Sequence, residues 1–380
     1  MITSIAIHNI KCFETLSIPL TNLTLLSGIN SMGKSTLIQS LLLMRQSYEL
    51  NNLYGIQLNG PYTQIGTGKD LLNSNAGIDD EFSIKVTFND VTLEQHINYN
   101  SESDFLDTTP QILKENQLIL RNMNYFKSPL ANSNEFNIFG DNFSFISAER
   151  ISPKMFYNKS HYDVHTKKQL GIHGEYCIHY LLDYADKEVA NKALYHEHAS
   201  SHKLLAQTEA WLSEISPGIS LSIEDYHRAN MLGLQIRQSG KSGDINDEYK
   251  IVNVGFGISY ILPVIVALLK ADKDDLVIIE NPEAHLHPKG QRKMGELIAK
   301  ASSGGVQVII ETHSDHILNG IRLSVRNNKI SPDKVNLYYF QKDAKMNSVY
   351  ENPQILEDGR LNFWPDGFFD EWDKAIDEMF

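Results

Sequence analysis

A chain of 380 residues can bury a full core and hold one large domain or two smaller ones. With 42% hydrophobic and 21% charged residues, disorder is not the default reading. Its 34 basic and 47 acidic residues leave a net charge of −13, which excludes a molecule built as a whole to coat a nucleic-acid backbone.

In chain order, short apolar runs at 4–10, 16–20 and 23–26 read as strands, the third entering a glycine-containing loop. The Leu-rich stretch 35–47 lacks Gly and Pro and reads as a helix. Residues 82–88 and 91–99 alternate around Asn89-Asp90, the pattern of a hairpin. Weaker signals follow: a strand at 143–147 running into Ala148-Glu149-Arg150, helices at 176–190 and 204–215, and a polar hairpin tip at 238–247. The pattern then sharpens into helix 259–270, strand 276–280, helix 289–302, strand 306–311, helix 316–326 and strand 335–340. Strands alternating with helices imply a mainly parallel sheet with flanking helices, an α/β fold. The expected division is an N-terminal lobe with an antiparallel β subdomain (1–100), a mixed α/β insertion lobe (101–235), a C-terminal lobe (236–345) and a tail (346–380). Only Cys12 and Cys177 are present, which fits a reducing compartment better than a disulfide framework. No apolar run reaches membrane-spanning length and Met1-Ile2-Thr3 opens no leader pattern, so the expectation is a cytoplasmic protein without membrane contact.

Gly28-Ile29-Asn30-Ser31-Met32-Gly33-Lys34-Ser35 matches G-x-x-x-x-G-K-[ST] between an apolar strand and a helix, the context a P-loop requires. The glycines let backbone N–H groups close around phosphate oxygens, and the helix start adds a favourable dipole. Lys34 is expected on the β/γ-phosphates and the Ser35 hydroxyl on Mg²⁺. Gly28, Asn30, Gly33, Lys34, Ser35 and Thr36 are therefore the ATP-contacting candidates. The bland alternative is a tight strand-to-helix turn that merely contains Gly-Lys-Ser. Leu276-Val277-Ile278-Ile279-Glu280 is an apolar strand ending in a carboxylate, the pattern of a Walker B strand, with Glu280 as a hard oxygen ligand for Mg²⁺.

Two further runs carry a resemblance. Glu280-Asn281-Pro282-Glu283-Ala284-His285-Leu286-His287-Pro288 and Glu311-Thr312-His313-Ser314 resemble segments of the P-loop ATPases of ABC type in the RecF/OLD/SMC group. The likeness is best over 20–50 and 250–320. The closing run from Gly359 to Glu371 resembles a subfamily met in bacterial defence clusters. By that resemblance the catalytic glutamate falls on Asn281, whose amide can hold a water but cannot take its proton, so hydrolysis is expected to be slow. Glu283 is the nearest spare carboxylate and the candidate base; its alternative is to shape the loop. His313 takes the place of a histidine that senses the γ-phosphate. His285 and His287 suggest a metal pair, but no third ligand is evident nearby, and the resemblance places their turn at a subunit seam.

Val252-Asn253-Val254-Gly255-Phe256-Gly257 precedes a helix where ABC ATPases keep their signature sequence, and the resemblance implies Asn253 and Gly255 on the γ-phosphate of a partner's nucleotide, the alternative being an ordinary turn that lets the helix pack closely. That implies a homodimer sandwiching two ATP molecules. The resemblance offers Gln64 as a relay of nucleotide state, and Lys11 and Phe13 as contacts to adenine or ribose, with plain packing as their alternative. Without long heptads or room for a Toprim nuclease domain, the chain is expected to be the switch or sensor of a bacterial antiphage defence system, acting on a separate effector protein such as a nuclease or toxin. The competing reading is a RecF-like clamp that binds DNA directly.

Overall fold

The computed structural model describes residues 1–51, 53–77, 80–114, 117–120, 136–141, 143–239, 245–251, 256–344 and 346–379. The chain divides into two units, one of Met1–Gly140, Asn336–Pro353 and Pro365–Phe368, the other of Asp141–Val335, Gln354–Trp364 and Phe369–Phe380.

The first unit carries an antiparallel sheet in the order Phe13–Pro19, Ile2–Ile10, Phe82–Phe88, Val91–Ile97, Phe105–Lys114, Gly55–Gln57. Alternation sets its faces: Phe13–Pro19 buries Phe13, Leu16 and Ile18 and exposes the residues between them. The expected hairpin is present, with Phe88 opposite Val91 and Asn89 in the left-handed region (φ 51°), which asparagine tolerates. In the same unit Leu23–Gly28 is buried at every position and lies beside Val335–Lys342, itself antiparallel to Ser348–Glu351. The helix Lys34–Asn51 follows. Its Arg45 is buried, and it is held by Glu49 at 2.6 Å and by the carbonyls of Ile138 and Gly140, so its own charge is paired.

In the second unit Ser144–Ile146, Leu276–Glu280 and Gln307–Glu311 run parallel. Leu276 to Ile279 and Gln307 to Glu311 are fully buried, the near-continuous apolar reading of strands covered on both faces. Helix Phe256–Lys270 packs on the first two strands and helix Pro288–Ser303 on the third. Pro288–Ser303 and Asp315–Arg326 meet backbone to backbone: a Cβ on Gly295 would lie 2.3 Å from the Ile317 carbonyl, and one on Gly320 would lie 2.2 Å from that of Arg292. A separate antiparallel sheet joins Tyr157–Asn158, Met231–Ser239, Ile219–Tyr226 and Ile245–Lys250.

The mixed α/β class agrees with the sequence reading, but two local expectations change. The helix expected over 176–190 is only Cys177–Asp183. Tyr184 leaves helical geometry, Lys187 turns back to the Tyr184 carbonyl, and Val189 bonds to the distant His202 carbonyl. Residues 101–235 are shared between the units, because Phe105–Lys114 completes the antiparallel sheet of the first. The tip residues 240–244 lie outside the described residues.

Candidate functional site

On the first unit, the turn from Leu23–Gly28 into Lys34–Asn51 has the backbone a phosphate loop needs. Gly28 (φ 136°), Ser31 (φ 65°) and Gly33 (φ 114°) all adopt left-handed geometry. Neither glycine has room for a side chain: a Cβ on Gly28 would sit 2.2 Å from the Phe340 carbonyl oxygen, and one on Gly33 would sit 2.3 Å from the Phe13 ring. Lys34 is 3% exposed, and its ammonium donates to the carbonyls of Gly28 and Ile29 at 2.8 and 2.9 Å. That cation is thereby held inside the loop at the helix start. Ile29, Asn30 and Ser31 form an exposed rim and Ser35 is exposed at the helix start, whereas Thr36 is buried against the Cys12 thiol. A buried cation, glycine-shaped turns and an exposed hydroxyl at a helix start are the chemistry of a phosphate and Mg²⁺ site, so these residues fit the nucleotide.

The other first-unit candidates separate. Phe13 is 2% exposed and packs beneath Gly33 and edge-on to Phe340, 6.1 Å between ring centroids. It therefore takes the packing alternative and not the adenine contact. Lys11 is half-buried with its ammonium on Gln39 Oε1 at 2.6 Å; burial lowers its pKa, and Cys12 and Asp70 oppose that shift. Gln64 is exposed on a short loop, donating to the Gly60 carbonyl.

On the second unit, the turn after Leu276–Glu280 is built by partners from three places. Glu280 Oε2 accepts from the Ala148 N–H at 3.0 Å and lies 3.5 Å from the Ser147 hydroxyl; burial pushes its pKa up, against the pull of those donors and of Arg150. Asn281 sits at φ 45° and its N–H bonds the Glu311 carbonyl at 2.8 Å. Among polar residues asparagine is one of the few that adopt this geometry readily, so the amide also suits the backbone. Arg150, 3% exposed, donates to the carbonyls of both Glu280 and Asn281. Burial lowers its pKa to about 10 while Glu283 and Glu280 hold it up, so it remains a cation at neutral pH. Arg150 is the residue that sequence reasoning missed; the only signal was its place at the end of a predicted strand.

Both oxygens of Glu283 are engaged, one by the Thr312 hydroxyl (2.7 Å) and the other by the His313 N–H (2.9 Å). Of the two roles open to Glu283, these bonds favour the one that shapes the loop. Ser314 caps the helix Asp315–Arg326 through Ile317 N–H and donates to Gln291, which in turn bonds the Leu286 carbonyl. The His313 ring is thus exposed on a loop whose two flanking residues are both tied to the Glu283–His287 turn. His287 caps its own helix, Nδ1 accepting from Lys289 N–H, and the His285 ring stands edge-on to Tyr260. Asn253 and Gly255 lie outside the described residues. Among the described residues one cluster has metal-like spacing, His165, His179 and Asp183. There His179 Nδ1 accepts the Ser160 N–H, which puts the ring proton on Nε2, the atom beside Asp183 at 3.0 Å. A donor to a carboxylate is not a metal ligand.

Residues 23–319 match the family model described as "AAA domain, putative AbiEii toxin, Type IV TA system", and residues 330–379 match one described as "Protein of unknown function (DUF3696)". No curated protein matches the sequence. Among solved structures the chain is similar to an SMC head bound to the C-terminal winged-helix domain of ScpA (12% identity, TM-score 0.50, 93% of this chain and 98% of that one). It is also similar to the SMC head domain of Thermotoga maritima (11% identity, TM-score 0.49, 92% and 98%). A third is the Pyrococcus furiosus-derived head domain with an extended coiled coil, bound to the C-terminal domain of ScpA (13%, 0.48, 100% and 99%). At 12% identity the likeness to the ScpA-bound SMC head is one of fold alone. No helix among the described residues is long and apolar enough to cross a membrane.

Proposed function

The chain belongs to the family described as "AAA domain, putative AbiEii toxin, Type IV TA system", and from that premise we propose that it is a slowly hydrolysing ATPase that dimerises around ATP and switches a separate effector, a nuclease or toxin, in bacterial antiphage defence. The observation that carries the reading is the buried Lys34 cation, held by Gly28 and Ile29 in a loop whose glycines admit no side chain. Bound ATP would draw that ammonium onto its phosphates, and the Ser35 hydroxyl would supply an oxygen to Mg²⁺, which organises and polarises the phosphates when bound. Asn253 and Gly255 would meet the nucleotide of the partner copy.

The same geometry supports slow turnover. Asn281 offers an amide where a carboxylate would take the proton of the attacking water, and Glu283 is committed to Thr312 and His313. His313 would then donate toward the γ-phosphate from a loop whose position Glu283 fixes. The test is equilibrium ATP binding and single-turnover hydrolysis for the chain and for Lys34→Ala. Binding lost with Lys34→Ala, and hydrolysis slower than nucleotide association by orders of magnitude, is the expected pair. Rapid multiple turnover would sink the switch reading, and turnover stimulated by DNA with a steep salt dependence would replace it with the clamp.

A further inference from the structure

Away from every residue assigned above, the second unit holds a cationic cavity. The helix Asp315–Arg326 sets Asn319, Arg322, Leu323 and Arg326 on one face by their three- and four-residue spacing. The turn Asp358-Gly359-Arg360 lies against that face and encloses about 370 Å³ with it. That volume falls in the range of small-molecule sites, roughly 300–1,000 Å³. The turn is anchored: Arg322 Nε donates to the Gly359 carbonyl at 2.8 Å, and Gly359 (φ 80°) lies so near that a Cβ would be 2.8 Å from the Arg322 carbonyl.

Its charge is unbalanced. Three guanidinium groups meet one carboxylate, Asp358, which Arg360 engages at 3.4 Å. Arg322 commits Nε to Gly359 and Nη1 to Asn319 at 2.9 Å, while Arg326 has no ion pair among the described residues. Two positive charges are left uncompensated on a chain whose net charge is −13. That surplus matches a phosphate monoester, which carries about −1.5 to −2 at neutral pH, and guanidinium forks fit its oxygens in pairs. Beside the cavity, Trp364 is 43% exposed with Arg322 5.4 Å from its ring centroid, a flat surface that suits an aromatic base.

We propose that this cavity binds a small phosphate-bearing ligand of nucleotide size, the phosphate held by Arg322, Arg326 and Arg360 and the base beside Trp364. The site is separate from the P-loop and does not rest on the ATP reading. Its occupant would bear on the helix that begins one residue after His313–Ser314 and is locked to Pro288–Ser303 at Gly295 and Gly320.

The experiment uses the full chain carrying Lys34→Ala, so that P-loop binding does not mask the second site. Calorimetric titrations are run with inorganic pyrophosphate, the four nucleoside monophosphates, adenosine and a single-stranded oligonucleotide. Saturable pyrophosphate binding, tighter binding of at least one monophosphate and none of adenosine are expected. Adding Arg326→Glu with Arg360→Glu, both exposed, is expected to weaken that binding about tenfold or more, the scale of one lost charge-assisted hydrogen bond, without changing the circular-dichroism melt. The proposal is overturned by no pyrophosphate binding, by monophosphates that bind no tighter than pyrophosphate, by binding indifferent to the charge reversals, or by an oligonucleotide that outcompetes every small ligand.

Discussion

Replacing Arg150 by Met keeps most of the side-chain volume and deletes the guanidinium that holds the carbonyls of Glu280 and Asn281. Each charge-assisted hydrogen bond to a buried acceptor contributes about 1.5–3 kcal/mol, and each carbonyl left without a donor costs about 1–3 kcal/mol. Opposing this, the variant no longer buries a cation, a cost visible in the lowered pKa of Arg150. The net expectation is a loss of about 2–4 kcal/mol, seen as a melting temperature lower by about 2–5 °C. The local effect should exceed the global one, because both carbonyls belong to the turn that carries Asn281. Single-turnover hydrolysis is expected to fall by about tenfold or more, the equivalent of a barrier raised by 1.4 kcal/mol. ATP affinity should hold, since Lys34 and its loop are untouched. Arg150→Lys keeps the charge but cannot reach both carbonyls, and should fall between. A variant with wild-type melting and hydrolysis would show that Arg150 neither supports the fold nor positions the turn, and the reasoning fails.

Three other outcomes follow from the same geometry. Gly28→Ala forces a Cβ to 2.2 Å from the Phe340 carbonyl at φ 136°, so it should destabilise the chain by about 3 kcal/mol or more and abolish ATP binding, whereas Gly140→Ala, at φ −70° with its nearest contact at 3.4 Å, should melt normally; equal melts would refute the steric reading. Glu283→Gln and Thr312→Val should slow hydrolysis by similar factors and the double variant by no more than either, with the pH profile unmoved; additive losses or a vanished alkaline-going limb would restore Glu283 as a base. Burial holds the pKa of His179 below its ordinary range despite Asp183. The unfolded chain therefore takes up that proton first, and stability is present above the ordinary histidine pKa and lost as pH falls through the folded one. His179→Asn, which keeps an acceptor for the Ser160 N–H, should flatten the fall in urea midpoint between about pH 7 and about pH 5; an unchanged slope would assign the acid sensitivity elsewhere.

What could be read from the sequence was what local pattern determines. The largely apolar runs before Gly28, Glu280 and Glu311 announce buried strands, and Gly28 to Ser35 announces its own turn because Gly28 and Gly33 leave no room for a side chain. What could not be read depends on residues far apart. Arg150 reaches a turn 130 positions away, and the helix after Tyr176 stops at Asp183, where that carboxylate bonds His165 and His179 and the chain turns toward His202. Phe105–Lys114 was hidden by Pro110, tolerated in the strand opposite Gln95. Phe13 shows the limit of resemblance as a guide: an aromatic at a plausible ligand position is instead the floor beneath Gly33.

The mass of the chain in solution with ATP and Mg²⁺, followed by sedimentation, tests the proposed ATP-held dimer most directly. Twice the monomer mass with ATP, persisting until the nucleotide is hydrolysed, monomer with ADP, and monomer with ATP for Lys34→Ala is the expected result. A mass indifferent to nucleotide, or an ATP dimer that Lys34→Ala forms equally well, would contradict it.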